Sequence, residues 1–146
     1  MDRIFVQDNA RERDRMRALS ESLTDEQLRL PIGTDWTIAV AFAHLAFWDQ
    51  RSLAMLRKWK NNGVIELSPI DIDITNDSLL PLWLALEPRK AAELAVSSAE
   101  AIDRELENAP AELIAKIEAL GEKSKLFRSI HRKLHLDEID KRIQQK

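Results

Sequence analysis

The chain has 146 residues, 45% hydrophobic and 32% charged, with a formal net charge of -3 and no cysteine. That length fits one domain (1–146) with a sizeable core, and the apolar content excludes a disordered chain. The missing cysteines exclude disulfides, thiolate metal sites and a cysteine nucleophile, and interspersed charges of both signs argue against nucleic-acid binding.

The N-terminal segment MDRIFVQDNARERDRMR is charged from its second residue, so a secretory leader is not expected. The longest run free of Asp, Glu, Lys and Arg is Trp36–Trp48, 13 residues, short of the ~20 needed to span a bilayer. A soluble cytoplasmic protein without membrane partners is the expectation.

Residues 3–22 favour helix, with Phe5, Glu12, Met16, Leu19 and Leu23 on one stripe and Asn9 among them. Two polar groups on an apolar stripe suit a wet edge of the fold. Thr24 and Gln27 have capping-box spacing, predicting a short helical turn from Asp25. Pro31–Gly33 then breaks the chain.

Thr34 or Asp35 can cap the next helix, which runs to about Asn61 and stops at Asn62-Gly63. With His44 as zero on the wheel, Arg51 lies at about -20°, Met55 at about 20°, Trp48 at about 40° and Trp59 at about 60°. His44 therefore points into the apolar stripe, where Trp48, Met55 and Trp59 could wall a pocket. Arg51 could anchor an anionic substrate or lie along the surface in a salt bridge. Asp49, at about 140°, is expected in solvent.

From Val64 to Asp77 the pattern changes. Ile70, Ile72 and Ile74 alternate with polar residues, which suits an extended crossover. Asp71-x-Asp73-x-Thr75 opens like a calcium loop, but Asn76 replaces the required Gly and Leu82 the required Glu. So long a connection lets its flanking helices run parallel. Helix is expected again from Asn76–Asp77, with Pro81 near its first turn. Further helices are predicted from Pro88 to Asn108, from Pro110 to Leu120, and from Glu122 to about Gln144. In the last, Phe127, Ile130 and Leu134 form the apolar stripe, with His131, His135 and Glu138 on its flank.

The three histidines of the chain are His44, His131 and His135. Residues four apart on a helix project from one face, so His131 and His135 can share one metal ion. Two surface histidines in a Lys/Arg-rich helix would look the same, and His44 alone reads equally as a hydrogen-bonded core histidine.

Trp36-Thr37, His44-Leu45 and Asp49, followed by the H-x-x-x-H of His131 and His135, together resemble the DinB/YfiT-like family of metalloenzymes. The resemblance implies an all-α four-helix bundle, up-down-down-up, with a long crossover between helices two and three. It implies a divalent metal ion, zinc or nickel, held by His44, His131 and His135 and completed by water. Glu138 could orient a ligand; no residue is assigned a catalytic role. The activity implied is a transferase using a low-molecular-weight thiol, or a metal-dependent hydrolase, on a small-molecule substrate. The alternative is a non-catalytic stress-related or regulatory bundle with structural or vestigial histidines. A homodimer is implied as well, with Ile70–Ile74 a candidate contact.

Overall fold

The structure is a computed structural model, described over residues 3–145. Helix α1 (Ile4–Ser22) leads through the single turn α2 (Asp25–Leu28), which has the capping box of Thr24 and Gln27, to a minimal antiparallel pair. In that pair β1 (Pro31–Ile32) lies against β2 (Trp36–Thr37), with Ile32 opposite Trp36. Helix α3 (Ile38–Asn62) follows directly. Its cap is Thr37, whose Oγ1 accepts from the Val40 N–H at 3.1 Å, not Thr34 or Asp35. The hairpin consumes those two residues in its turn, so the cap falls on the strand's last residue. Gly63 ends α3 at φ 72°, a left-handed conformation that glycine adopts without a Cβ clash.

The segment 64–71 is tied down onto α3 from below. Trp59 Nε1 donates to the Glu66 carbonyl at 3.0 Å and Arg51 Nη2 to the Ser68 carbonyl at 2.7 Å. Helix α4 (Ile72–Ala85) begins earlier than expected because Asp71 caps it, Oδ1 accepting from the Ile74 N–H at 3.0 Å. The Asp-rich stretch is thus a helix start. Ile72 and Ile74 lie in its first turn, exposed, and extended backbone reaches only as far as Asp71. Pro81 consequently falls inside α4, not in its first turn. It and Asp77, whose carbonyl loses its usual partner, are both exposed, so water can reach the freed group.

Pro88 opens α5 (Pro88–Asn108) at a position where its missing N–H costs nothing. Helix α6 (Ala111–Ala119), a 3-10 turn at Lys123–Lys125 and α7 (Ser129–Gln144) complete the chain. The last helix therefore starts well after Glu122. Its buried face also differs from the expected one, since Ile130 and Leu134 are about half exposed. The inward positions are Ser129, Arg132, Leu136, Ile139 and the half-buried Ile143, spaced three and four apart. An arginine at the centre of that stripe hides it from a hydrophobicity count.

Polar cross-links give the relative directions of the long helices. Arg3 donates to carbonyls of Leu106 and Ala109, Arg13 pairs with Asp103, and Arg89 reaches the Ser20 carbonyl, so α1 and α5 run antiparallel. Gln50–Ser98 and Arg57–Glu105 make α3 and α5 parallel. Asn9–Ser129 and Arg15–Asp137 make α1 and α7 parallel, and Asp49–Arg128 with His44–His131 make α3 and α7 antiparallel. In chain order the four run up, down, down, up.

The apolar core falls into two clusters. One joins Met16, Val40, Ala43 and Ala46 to Ala91, Ala95, Ala99, Trp83, Leu136 and Ile139. The facing alanines of α3 and α5 let those two helices approach closely. The other gathers Phe5, Leu53, Leu56, Trp59, Ile102, Leu106, Ile114, Ile117 and Leu126.

Between them lies a buried polar layer to which α1, α3, α5 and α7 each contribute. Arg132, fully buried, uses all five of its N–H donors: on Asp49, on both oxygens of Asp103 and on the Asn9 carbonyl. Arg128 adds a bond to Asp49 at 2.9 Å, while the Asn9 side chain joins the Leu126 carbonyl to the Ser129 N–H. Asn9 and Glu12 are therefore buried and do not lie at a wet edge. Asp49, expected in solvent, is 1% exposed. The wheel placed it away from His44, but α3 is enclosed on several sides and both directions face inward. Burial works against the Arg132 charge, and the carboxylates of Asp49 and Asp103 more than offset it, so its pKa lies above the usual arginine value.

Candidate metal centre

His44, on the second turn of α3, meets His131 and His135, one turn apart on α7. Their ring centroids form a near-equilateral triangle, 4.7 Å from His44 to His131, 4.6 Å from His44 to His135 and 4.8 Å from His131 to His135. One nitrogen from each ring lies within 4.8 Å of the others, so the group could hold a metal ion. The Nε2 atoms of His44 and His131 are 2.8 Å apart. Tetrahedral zinc, with bonds of ~2.0–2.1 Å, sets its nitrogen ligands ~3.3 Å apart. The His44–His131 separation is shorter than that value and all three nitrogens lie within 4.8 Å of one another, and three neutral imidazoles can hold a divalent ion while leaving a coordination position open.

The electrostatics keep those lone pairs free. Burial pushes the His44 pKa down to about 3, and any charge on His131 or His135 pushes the same way. Burial also takes His131 to about 3, reinforced by His135, Arg128 and Arg132. His135 is lowered by burial too, against the opposing pull of Glu138, whose Oε2 stands 3.3 Å from Nδ1. A carboxylate on the far nitrogen of an imidazole fixes its tautomer and turns Nε2 toward the centre.

Aromatic rings wall the triangle. Trp36 lies 4.7 Å from the His44 ring and 5.8 Å from His135, Trp83 stands edge-on to His44 at 5.4 Å, and Trp48 is 6.3 Å away. The hairpin places Trp36 there and α4 places Trp83. Neither follows from the periodicity of α3, though three of the chain's four tryptophans converging on one point is a compositional hint.

Met55 and Trp59 do not join this wall. They share an azimuth with His44 but lie ~16 and ~22 Å further along the helix at 1.5 Å per residue, and both pack in the other core cluster. Arg51, ~10 Å along, donates to the Met55 sulfur and the Ser68 carbonyl and stacks over Trp48. It secures the crossover.

Among models of protein families, that of the DinB superfamily matches residues 9–138. The chain belongs to the DinB superfamily. The match runs from within α1 into α7 and takes in all three histidines and Glu138. No curated protein and no solved structure matches the chain. Within this DinB-superfamily chain, no helix among the described residues is long and apolar enough to cross a membrane.

Proposed function

We propose that the three-histidine centre holds a divalent metal ion, zinc or nickel, and that the protein is a transferase acting on a small molecule with a low-molecular-weight thiol. Hydrolysis at the same centre is the variant in which water replaces the thiol. The observation that supports this reading is the convergence of three neutral imidazoles, two of them buried and His131 half-buried, from two helices into one triangle. When bound, such an ion supplies Lewis acidity that brings the pKa of a thiol or water toward neutrality.

The residues of the chain provide the rest. His44, His131 and His135 present unprotonated nitrogens at neutral pH. Glu138 holds the His135 ring by its Nδ1. Trp36, Trp48 and Trp83 keep the surroundings apolar, which strengthens electrostatic interactions at the centre and favours an apolar portion of substrate beside it.

Elemental analysis of natively purified protein, run with a thiol-conjugation assay, tests the proposal. Stoichiometric zinc or nickel is expected, together with its loss in the double variant His131→Ala, His135→Ala. Full metal content in that double variant would sink the reading.

The 2.8 Å contact between the Nε2 atoms of His44 and His131 favours a second reading, a non-catalytic bundle in which the imidazoles hydrogen-bond to one another. It predicts no metal after purification and no change of melting temperature with zinc or nickel. The exposed Ile72, Ile74, Leu82 and Leu84 of α4 support a homodimer as the working state, which sedimentation velocity would detect.

A further inference from the structure

An imidazole that gives one nitrogen to a metal carries its proton on the other, and that N–H needs an acceptor. His44 turns Nε2 toward His131, which leaves Nδ1 on the remote side. That Nδ1 is buried and has no hydrogen-bond partner among the described residues. The contrast with His135 is direct, since Glu138 meets its Nδ1.

The acceptor at hand is Asn76, in the second turn of α4. Its Oδ1 accepts from the Trp48 indole N–H at 3.0 Å, and the Trp48 ring flanks that of His44. An amide oxygen has two lone pairs, of which Trp48 takes one.

We infer that Asn76 is the positioning residue of His44: with Nε2 engaged by an ion, Nδ1–H donates to Asn76 Oδ1, which bridges the ligand to Trp48. This rests on the metal reading above. The bridge requires a small rotation of ring or amide, because the present geometry makes no Nδ1 hydrogen bond.

The inference gives α4 a role. That helix buries little besides Trp83, which itself stands edge-on to His44. Two side chains of α4 thus touch one ligand ring, so filling the centre steadies α4 against α3.

The test compares wild type, Asn76→Ala and Asn76→Asp by zinc competition with a chromophoric chelator. Removing an outer partner of a ligating histidine weakens metal affinity by about 10- to 100-fold, and that loss is expected in Asn76→Ala. Asn76→Asp keeps an acceptor and is expected to bind close to wild type. Two further readouts separate positioning from mere structure. The zinc-loaded wild type should show a slowly exchanging His44 Nδ1–H proton signal that is absent from Asn76→Ala. Zinc should also slow amide exchange along α4 in wild type but not in that variant. Should Asn76→Ala fail to fold, Asn76→Leu, similar in size and without an acceptor, makes the same comparison.

Unchanged zinc affinity in Asn76→Ala or Asn76→Leu, or an equal loss in Asn76→Asp, would overturn the role of Asn76 while leaving the metal centre standing. A wild type that binds no zinc or nickel overturns both.

Discussion

Arg132 and Asp103 are joined at two points in the middle of the molecule, Nη1 to Oδ2 at 2.9 Å and Nη2 to Oδ1 at 2.8 Å. The guanidinium is fully buried and the carboxylate nearly so. Paired charges of this kind add little when compared with an apolar core, but removing one member strands the others. Arg132→Met leaves Asp49 and Asp103 in the interior without that partner, and a loss of about 3–5 kcal/mol is expected. Urea unfolding at neutral pH measures it. A loss below 1 kcal/mol would mean that water or Arg128 and Arg13 already compensate the two carboxylates.

The histidines give stability of the metal-free protein a pH dependence with a definite sign. Their folded pKa values lie below the ordinary 6.5, at about 3 for His44 and His131. Between those limits the unfolded chain binds more protons than the folded one, so stability falls as pH drops below about 6.5. Above it these groups contribute no slope. Urea midpoints at pH 7, 6 and 5 should decrease in wild type and decrease less steeply in His44→Gln, where His131 and His135 still contribute. Identical slopes for the two proteins would contradict buried, neutral imidazoles.

Glu138 holds His135 from the outer side of the centre. Glu138→Gln keeps the size and a hydrogen bond but removes the charge, and zinc affinity should fall by about tenfold. Without zinc the variant should melt close to wild type, and at zinc well above both dissociation constants it should melt below wild type by the equivalent of about 1.4 kcal/mol, because bound ligand stabilises by mass action. Calorimetric titration and a melting series against zinc concentration provide both numbers.

The cluster around Ile114 is separated from the histidines by the polar layer. Ile114 is fully buried, and Ile114→Ala should cost about 2–5 kcal/mol through lost contacts and the cavity left behind. Zinc affinity should remain that of wild type. A shared loss of stability and affinity would show that the two clusters respond as one.

Much of this architecture can be read from the residues. The all-α class, the capping box at Thr24, the stop at Gly63, the start of α5 at Pro88 and the inward azimuth of His44 all follow from local chemistry. The histidine triangle needs only the further step that α3 and α7 meet. What eluded the sequence has three physical sources. Azimuth without height made Met55 and Trp59 neighbours of His44, although the helical rise carries them into another part of the core. Treating polar and charged side chains as signs of solvent misplaced Asp49, Asn9, Glu12 and the inner face of α7, because a buried polar network looks on paper like a set of surface residues. Asp49 and Arg132 are hidden together or not at all. Trp36, Trp83 and Asn76 reach the centre from a hairpin and a short helix whose docking no periodicity encodes.

The five-donor arrangement around Arg132 has a bearing on how much the centre itself can vary. A slip of α7 by one turn moves each of its side chains ~5.4 Å, far beyond the reach of a hydrogen bond. Such a slip would leave the guanidinium facing apolar side chains and strand Asp49 and Asp103, so the helix has one admissible height against its neighbours. The vertical alignment of His131 and His135 with His44 is thereby set by charges that never touch an ion. Walls such as Trp36 and Trp83 are then free to be exchanged for other shapes without disturbing the triangle, so the surroundings of the centre can change while its three nitrogens keep their places.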